Sequence, residues 1–250
     1  MRKFGREASQ NASTEIEIKL RVADASRFLR QLARLKARLT HARVHEMNTL
    51  YDTPDAKLAR HGRMLRLRVE HPAPRASGTK KPRKLAGARP EVSALLTFKG
   101  PAKGAPADEQ EGYKVREEHE VRISDHEGLP KILESLGLRP RFRYEKFRTT
   151  FRLPGLKGVK LMADETPIGD FVELEGERAE IDRATELLGF PRSDYITKSY
   201  GALFMEAHGL SAQASSQNEP IPFAGVPDMV FPPNKTSGEL SHKIRPFAPR

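Results

Sequence analysis

Charged and apolar residues alternate along several segments of this chain, and this alternation constrains the fold more than any other feature. Residues 15–22 read E-I-E-I-K-L-R-V, so every second side chain is ionic. Successive side chains of a β-strand point to opposite faces of a sheet. The segment is therefore predicted to form a strand with one ionic face and one apolar face.

The same period of two returns in four further segments of the chain. These are residues 65–70, 115–123, 147–153 and 171–175. Apolar residues at the helical spacing of three and four occur in another set of segments. These are residues 24–39, 127–136 and 178–188. The sequence therefore predicts an α+β protein in which antiparallel strands dominate.

The ionic strand faces have two interpretations. They could be the solvent-facing side of an ordinary antiparallel sheet, with ion pairs between neighbouring strands. Such a face usually mixes Ser, Thr, Gln and Lys, whereas these faces use mainly Arg and Glu. Guanidinium groups bind phosphate oxygens in pairs, and grouped carboxylates hold Mg²⁺ or Mn²⁺. A closed barrel with these faces turned inward would bind a polyphosphate together with its metal.

The charge composition indicates which partners the chain attracts. Lys and Arg number 44 against 33 Asp and Glu, which gives a net charge of +11 and favours anionic partners. A surface that binds nucleic acid usually adds aromatic stacking residues, but the chain has 5 Tyr and no Trp. The composition therefore favours a small phosphorylated ligand over a nucleic acid.

The cysteine content and the distribution of apolar residues bear on the compartment. The chain has no Cys, which excludes a disulfide framework and a thiolate zinc site and fits a reducing compartment. No apolar run has the length of a signal peptide or of a membrane span. We therefore expect a soluble cytoplasmic protein without a membrane partner, whose oligomeric state the sequence does not indicate.

Three segments rich in Pro, Gly, Ser or basic residues divide the chain. We predict a flexible tail at residues 1–13, a long basic loop at residues 71–91 and a disordered tail at residues 208–250. These assignments leave one domain at residues 14–207.

Several short motifs then resemble those of a known family. Glu15-Ile16-Glu17-Ile18-Lys19 is similar to the E-x-E-x-K motif that opens CYTH proteins. That superfamily contains class IV adenylyl cyclases, thiamine triphosphatases and inorganic triphosphatases. Companion motifs follow in the expected order, namely Tyr51-Asp52-Thr53-Pro54, Leu65-Arg66-Leu67-Arg68, Thr97-Phe98-Lys99-Gly100, Arg116-Glu117-Glu118-His119-Glu120, Lys146-Phe147-Arg148, the run from Asp164 to Gly176, and Lys198-Ser199-Tyr200.

The resemblance implies a closed antiparallel β-barrel of about eight strands with flanking helices, which forms a tunnel for a triphosphate and for Mg²⁺ or Mn²⁺. It implies acidic residues on the metal side of the tunnel: Glu15, Glu17, Glu118, Glu120, Asp164, Glu173 and Glu175. It implies basic residues on the triphosphate side: Lys19, Arg66, Arg68, Lys99, Arg116, Lys146, Arg148 and Lys198. Lys19 and Lys198 are the candidates for a catalytic proton acceptor or water-orienting group. His119 alternates out of phase with Glu118 and Glu120 and is not assigned to the site.

The reaction remains open among three hypotheses. The run from Asp164 to Gly176 and the Lys198-Ser199-Tyr200 motif resemble class IV adenylyl cyclases most, which favours conversion of ATP to cyclic AMP and pyrophosphate. The alternative is a triphosphatase that hydrolyses inorganic triphosphate, thiamine triphosphate or a nucleoside triphosphate. A non-catalytic binder of polyphosphate or nucleic acid is the third hypothesis, and the predicted metal-side carboxylates argue against it because they repel phosphate unless a cation lies between them.

Overall fold

The computed structural model of the protein describes residues 13–73, 92–102, 112–210 and 227–231. The predicted N-terminal tail except Ser13, most of the predicted loop at 71–91 and most of the predicted C-terminal tail lie outside the described residues.

Eight antiparallel strands close into a barrel with the spatial order β1-β5-β4-β3-β2-β6-β7-β8, in which β8 pairs with β1. This closed barrel confirms the predicted fold class. The strands are β1 (Ser13–Val22), β2 (Arg38–Asp52), β3 (Met64–Pro72), β4 (Ser93–Pro101), β5 (Lys114–Arg122), β6 (Arg139–Arg152), β7 (Lys160–Thr166) and β8 (Gly169–Glu175).

The charge alternation identifies five of these strands and misses β2, β4 and β7. Strand β2 is the longest at 15 residues, and its pairing with β6 shifts register at three places. Each shift breaks the period of two on which the sequence prediction depends. Strand β4 has a single charged residue, Lys99, and in β7 the adjacent charges of Asp164 and Glu165 do not alternate with apolar residues.

In the part of the chain that the structure describes, five α-helices lie between and after the strands. They are α1 (Ala25–Arg34), α2 (Lys57–Arg60), α3 (Leu129–Ser135), α4 (Arg178–Leu187) and α5 (Tyr200–Ala207). Helix α1 begins after Asp24, whose carboxylate accepts a hydrogen bond from the Arg27 amide at 2.9 Å. The sequence prediction that this helix reaches residue 39 is wrong, because Lys36 adopts a positive φ of 54° and β2 begins at Arg38. No helix among the described residues combines the length and the apolar character that a membrane crossing requires.

The apolar faces of the strands point away from the barrel axis and are covered by helices. Ile18 and Leu20 of β1 are fully buried against Phe28 of α1, in a cluster that also contains Ile181 of α4. Full burial of a side chain of this size stabilises a fold by about 1.5 to 3 kcal/mol. Helix packing on the outside therefore supplies stability that the ionic interior does not.

A second apolar cluster lies among side chains that point into the barrel. Phe142 and Tyr144 of β6 and Phe171 of β8 pack there against Leu203 and Phe204 of α5. Helix α5 thus covers an apolar section of the interior, and the remaining interior is ionic.

Residues 227–231 form a short segment that we name the strap. Tyr144 and Met229 make a parallel bridge, in which Met229 N–H donates to the Arg143 carbonyl at 2.8 Å and Glu145 N–H donates to the Met229 carbonyl at 2.9 Å. Strand β7 pairs only with residues 147–151 of β6, so the strap takes up the edge of β6 beyond β7. The Met229 side chain is fully buried in the cluster beneath α5.

Candidate active site

The inward faces of the strands bring a set of ionic side chains into contact across the barrel interior. Side chains that are two residues apart on one strand share a face of the sheet. Closure of the sheet into a barrel turns these ionic faces toward each other. The side chains that contact one another there are Glu15, Glu17, Lys19, Glu46, Arg68, Lys99, Lys114, Glu118, Lys146, Arg148, Asp164 and Glu173. We name this set the ionic lining.

Lys19 lies between two carboxylates at the centre of β1. Its Nζ is 3.0 Å from Oε1 of Glu17 and 3.2 Å from Oε1 of Glu173 on the neighbouring strand. Burial alone would lower the pKa of Lys19, but the charges of Glu17 and Glu173 outweigh burial and raise it above the ordinary value. Lys19 is therefore a permanent cation in this arrangement, which favours charge stabilisation over the proton-acceptor role that we predict for it.

Asp164 is fully buried on β7 and collects three partners. Arg148 binds both carboxylate oxygens at 2.7 and 2.6 Å, and Lys146 Nζ lies 3.0 Å from Oδ2. The Tyr200 hydroxyl donates to the same Oδ2 at 2.7 Å. Because Arg148 and Lys146 both also contact Glu173, these two cations bridge the acidic residues of β7 and β8.

A third group joins β1, β4 and β5. Lys99 pairs with Glu15 and lies 3.4 Å from Glu118, and Lys114 donates to Oε1 of Glu17 at 2.8 Å. Burial, helped by the charge of Glu17, raises the pKa of Glu15. Burial lowers the pKa of Lys114, and the nearby charges of Lys19 and Lys99 add to this effect. Like charges therefore crowd this section of the lining.

The wall formed by β2 and β3 differs from the other walls in its contacts. Glu46 is fully buried, and its oxygens lie 3.6 Å from Arg68 and 3.5 Å from Lys146 without a hydrogen bond. Arg66 makes long hydrogen bonds of 3.4 Å to the Tyr144 hydroxyl and to Thr97. Burial alone would raise the pKa of Tyr144, but the neighbouring cations, Arg66 first among them, lower it. This wall carries a surplus of positive potential.

The barrel brings together most of the side chains predicted from the sequence. All of the predicted triphosphate-side residues that belong to strands lie on inward faces. Arg116, for example, is the register partner of Glu15. On the metal side, Glu120 accepts a hydrogen bond from the Thr97 hydroxyl at 2.9 Å. Glu175 pairs with the half-exposed Lys160 at 2.8 Å and so lies at the rim.

Lys198 is the predicted site residue that the structure places apart from the ionic lining. Its ammonium pairs with Glu206 of α5, and the two side chains are 39% and 41% exposed. The assignments of all these residues to metal, triphosphate or proton transfer remain predictions.

Several residues of the interior were missed by the sequence reasoning. Lys114 lies two residues before Arg116, so extension of the β5 alternation by one step would have found it. Glu46 and Asn48 share a face of β2, but β2 itself was not predicted. Tyr200 is the last residue of the Lys198-Ser199-Tyr200 motif, whose predicted contribution was Lys198, and the tyrosine is the residue that reaches the lining.

The Tyr51-Asp52-Thr53-Pro54 motif has a structural role in this barrel. The Asp52 carboxylate accepts backbone hydrogen bonds from Thr53, Leu58 and Ala59 at 2.7, 2.8 and 2.9 Å. These bonds fix the turn between β2 and α2 and satisfy amides at the start of the helix. The motif therefore shapes the chain next to the lining without joining it.

The acidic residues of the lining fit a hard divalent cation in their chemistry. Among the described residues, no group of three His, Asp or Glu side chains is arranged as a metal site. Glu17 and Glu173 nevertheless converge on one cation, because the Lys19 ammonium lies within 3.2 Å of both. Carboxylate oxygens that approach a common point in this way are the donors that Mg²⁺ and Mn²⁺ prefer.

Comparison with known proteins agrees with this geometry. The family model of the CYTH domain matches residues 13–200. The chain belongs to the CYTH family. The match to the family model ends at the start of α5, so the strap lies beyond the region that this model describes.

Solved structures show the same fold in other members. A candidate adenylate cyclase from Vibrio parahaemolyticus is 18% identical to this chain, with a TM-score of 0.58. The two align over 78% of this chain and 99% of the Vibrio chain. The PH1819 protein of Pyrococcus horikoshii is 24% identical to this chain, with a TM-score of 0.56. The two align over 77% of this chain and 98% of the Pyrococcus chain. A search of curated proteins gave no significant match.

Proposed function

We propose that this CYTH protein is a divalent-metal-dependent enzyme that processes a triphosphate inside the barrel, and that its reaction is the conversion of ATP to cyclic AMP and pyrophosphate. One observation carries the proposal: cations and carboxylates alternate around the closed interior of the barrel. The cations could bind a phosphate chain and the carboxylates could bind a metal ion within the same cavity.

The basic residues supply the binding energy for the phosphate chain. Arg66, Arg68 and Arg148 offer guanidinium forks that match phosphoryl oxygens, and Lys146 adds a point charge. They are held on rigid strands and largely shielded from water, so they stabilise charge that develops during phosphoryl transfer without reorganisation. No covalent nucleophile is required from the chain.

The acidic residues supply the metal site in this proposal. Glu17 and Glu173 would hold Mg²⁺ or Mn²⁺, with Glu15 as a further donor, once the incoming phosphates compete for the lysines that now pair with them. The bound metal would neutralise phosphoryl charge and help to activate the attacking oxygen. Lys19 keeps its proton and its charge beside these carboxylates.

In the cyclase reaction the ribose 3′-oxygen bonds to the α-phosphorus, the bond to the β-phosphate oxygen breaks, and pyrophosphate leaves. The run from Asp164 to Gly176, which contributes Asp164 and Glu173 to the lining, supports this reaction through its resemblance to class IV adenylyl cyclases. The name of the similar Vibrio protein points to the same class.

Triphosphate hydrolysis is the second candidate, and the ionic character of the lining favours it. The groups that surround the centre of the interior are charged on every wall, which suits a phosphate chain without an organic group. In this reaction water attacks the terminal phosphorus, the bond from that phosphorus to the bridging oxygen breaks, the diphosphate part of the substrate leaves, and the attacked phosphoryl group becomes orthophosphate.

Product analysis tests the proposal. The purified protein is incubated with ATP, inorganic triphosphate and thiamine triphosphate in turn, with Mg²⁺ or Mn²⁺, and a Glu15→Gln/Glu17→Gln variant is the control. Cyclic AMP and pyrophosphate from ATP, absent in the variant and in EDTA, support the cyclase. Orthophosphate without cyclic AMP supports the triphosphatase. Binding that EDTA leaves unchanged and that salt weakens steeply, with no product, supports a non-catalytic binder.

A further inference from the structure

The side-chain amide of Asn48 is buried in the barrel interior without a hydrogen-bond partner. Asn48 lies on β2 between Arg68 of β3 and Tyr144 of β6, which are its register partners. It is 1% exposed, and among the described residues neither its Oδ1 nor its Nδ2 is hydrogen-bonded. Exchange of the two amide atoms by a flip of the side chain leaves this result unchanged, because both atoms are unpaired.

A buried amide that lacks both of its partners costs stability, and such groups are uncommon in folded proteins. An apolar residue of the same size would avoid this cost at the same position. The polar residue is therefore best explained by a partner that joins the barrel from outside the chain.

Other unpaired atoms surround Asn48 on the same wall. The Nε atoms of Arg66 and Arg68 and both carboxylate oxygens of Glu46 also lack hydrogen bonds among the described residues. On the facing strands, by contrast, Lys19, Asp164 and Glu173 are hydrogen-bonded or paired at short distance. The unpaired donors are therefore concentrated on β2 and β3, where a ligand would find them unoccupied.

We infer that Asn48 is a ligand-binding residue, whose Nδ2 donates a hydrogen bond to a phosphoryl oxygen held between Arg66 and Arg68. This inference rests on the proposed function and adds a specific contact to it. In the complex the Oδ1 atom, which has no hydrogen bond without the ligand, would accept from the Nε–H of an adjacent guanidinium and so orient that arginine toward the ligand. A neutral amide serves this position because it adds a donor without neutralising either arginine, as a carboxylate would.

The test uses Asn48→Leu, which keeps the size of the side chain and removes its polar atoms. Binding of inorganic triphosphate is measured by titration calorimetry, and the melting temperature is measured without ligand. We expect the Kd to rise about tenfold or more, as loss of a hydrogen bond to a charged group predicts. We expect the melting temperature of the ligand-free variant to stay equal or to increase, because an unpaired buried amide has been removed.

A structural role for Asn48 predicts a different pattern. An Asn48→Leu variant that folds and binds with a Kd within twofold of the wild-type value overturns the inference, whatever its melting temperature. Met47→Leu on the outward face of the same strand, where Met47 is 43% exposed, is the matched control and should change neither quantity.

A second variant keeps the inference testable if Asn48→Leu does not fold. Asn48→Asp retains the shape, pairs with Arg68 and places a negative charge beside the ligand, so triphosphate binding should be lost at unchanged fold. Wild-type affinity in Asn48→Asp overturns the inference. If the wild-type protein binds neither inorganic triphosphate nor ATP, the proposed function fails, and that result is distinct from the failure of Asn48 alone.

Discussion

The Tyr200 hydroxyl donates a hydrogen bond of 2.7 Å to Oδ2 of Asp164, and this bond joins α5 to the ionic lining. The tyrosine ring also lies near two cations of the lining, with Lys146 Nζ at 4.9 Å and Lys19 Nζ at 5.4 Å from the ring centroid. One aromatic residue therefore separates the apolar section of the interior from the ionic section and contacts both.

Replacement of Tyr200 by Phe should destabilise the protein by about 1.5 kcal/mol, the lower end of the range for a hydrogen bond to a charged group. Asp164 keeps Arg148 and Lys146 as partners, so no carboxylate is left unpaired. Urea unfolding at neutral pH measures the change. A loss below about 0.3 kcal/mol, within the scatter expected of an exposed surface substitution, would show that the bond contributes nothing to folding.

Replacement of Glu173 by Gln should have a pH-dependent effect. Burial alone would raise the pKa of Glu173, but Lys146, Arg148 and Lys19 lower it well below the ordinary 4.5. A lowered folded-state pKa adds stability that is present above the ordinary pKa and is lost as the pH falls through the folded-state value. At pH 7 the variant should lose about 3 to 5 kcal/mol, as for a broken buried ion pair.

The measurement for Glu173→Gln is the free energy of unfolding in urea between pH 7 and pH 3. The difference from wild type should be constant well above pH 4.5 and should shrink as the pH falls through it, because the Glu173 carboxyl of the unfolded chain takes up its proton there while the folded one stays ionised. Glu206→Gln, which breaks the exposed pair with Lys198, should show a small difference at every pH. An effect of Glu173→Gln that does not change with pH would contradict the assigned ion pairing.

The unbroken period of two in β1, β3 and β5 predicted strands with ionic faces, and the resemblance to CYTH motifs implied that these faces line a closed barrel. The sequence could not predict Glu46 and Asn48, because both faces of β2 between Val44 and Leu50 mix polar with apolar residues and so show no charge alternation. Pairing between side chains is also not visible in a single sequence. The same role was predicted for Lys19 and Lys198, yet only Lys19 reaches two buried carboxylates.

Lys19→Met and Lys198→Met should therefore differ in their effect on activity. Loss of the Lys19 cation leaves Glu17 and Glu173 in mutual repulsion and removes a contact to phosphate, so product formation should fall by about a hundredfold or more, in the range reported for the removal of one charge-stabilising group. Lys198 pairs with Glu206 outside the lining, and its replacement should change the rate by less than tenfold. Initial rates with the active substrate across pH 6 to 9 measure both.

The pH profile separates the possible roles of these lysines. A proton acceptor would shift the acid limb of the profile when replaced, whereas a permanent cation lowers the rate without moving the limb. If Lys198→Met abolishes activity while Lys19→Met does not, Lys198 must move into the barrel when substrate binds, and the position beside Glu206 would be a resting one.

The strap gives the last prediction. Met229→Asp places a carboxylate at a fully buried position among aromatic side chains, which costs more than the two backbone bonds of the strap can offset. The strap should detach while the barrel stays closed, because all eight strands pair without it. The Glu145 amide, which donates to the Met229 carbonyl at 2.9 Å, should then exchange with solvent about a hundredfold faster, and the amides between β1 and β8 should not change.

Val230→Asp, at a neighbouring residue that is 44% exposed, should leave all of these rates as they are. Equal acceleration across the barrel in Met229→Asp would mean that the strap is part of the cooperative fold, since separate units open with separate free energies.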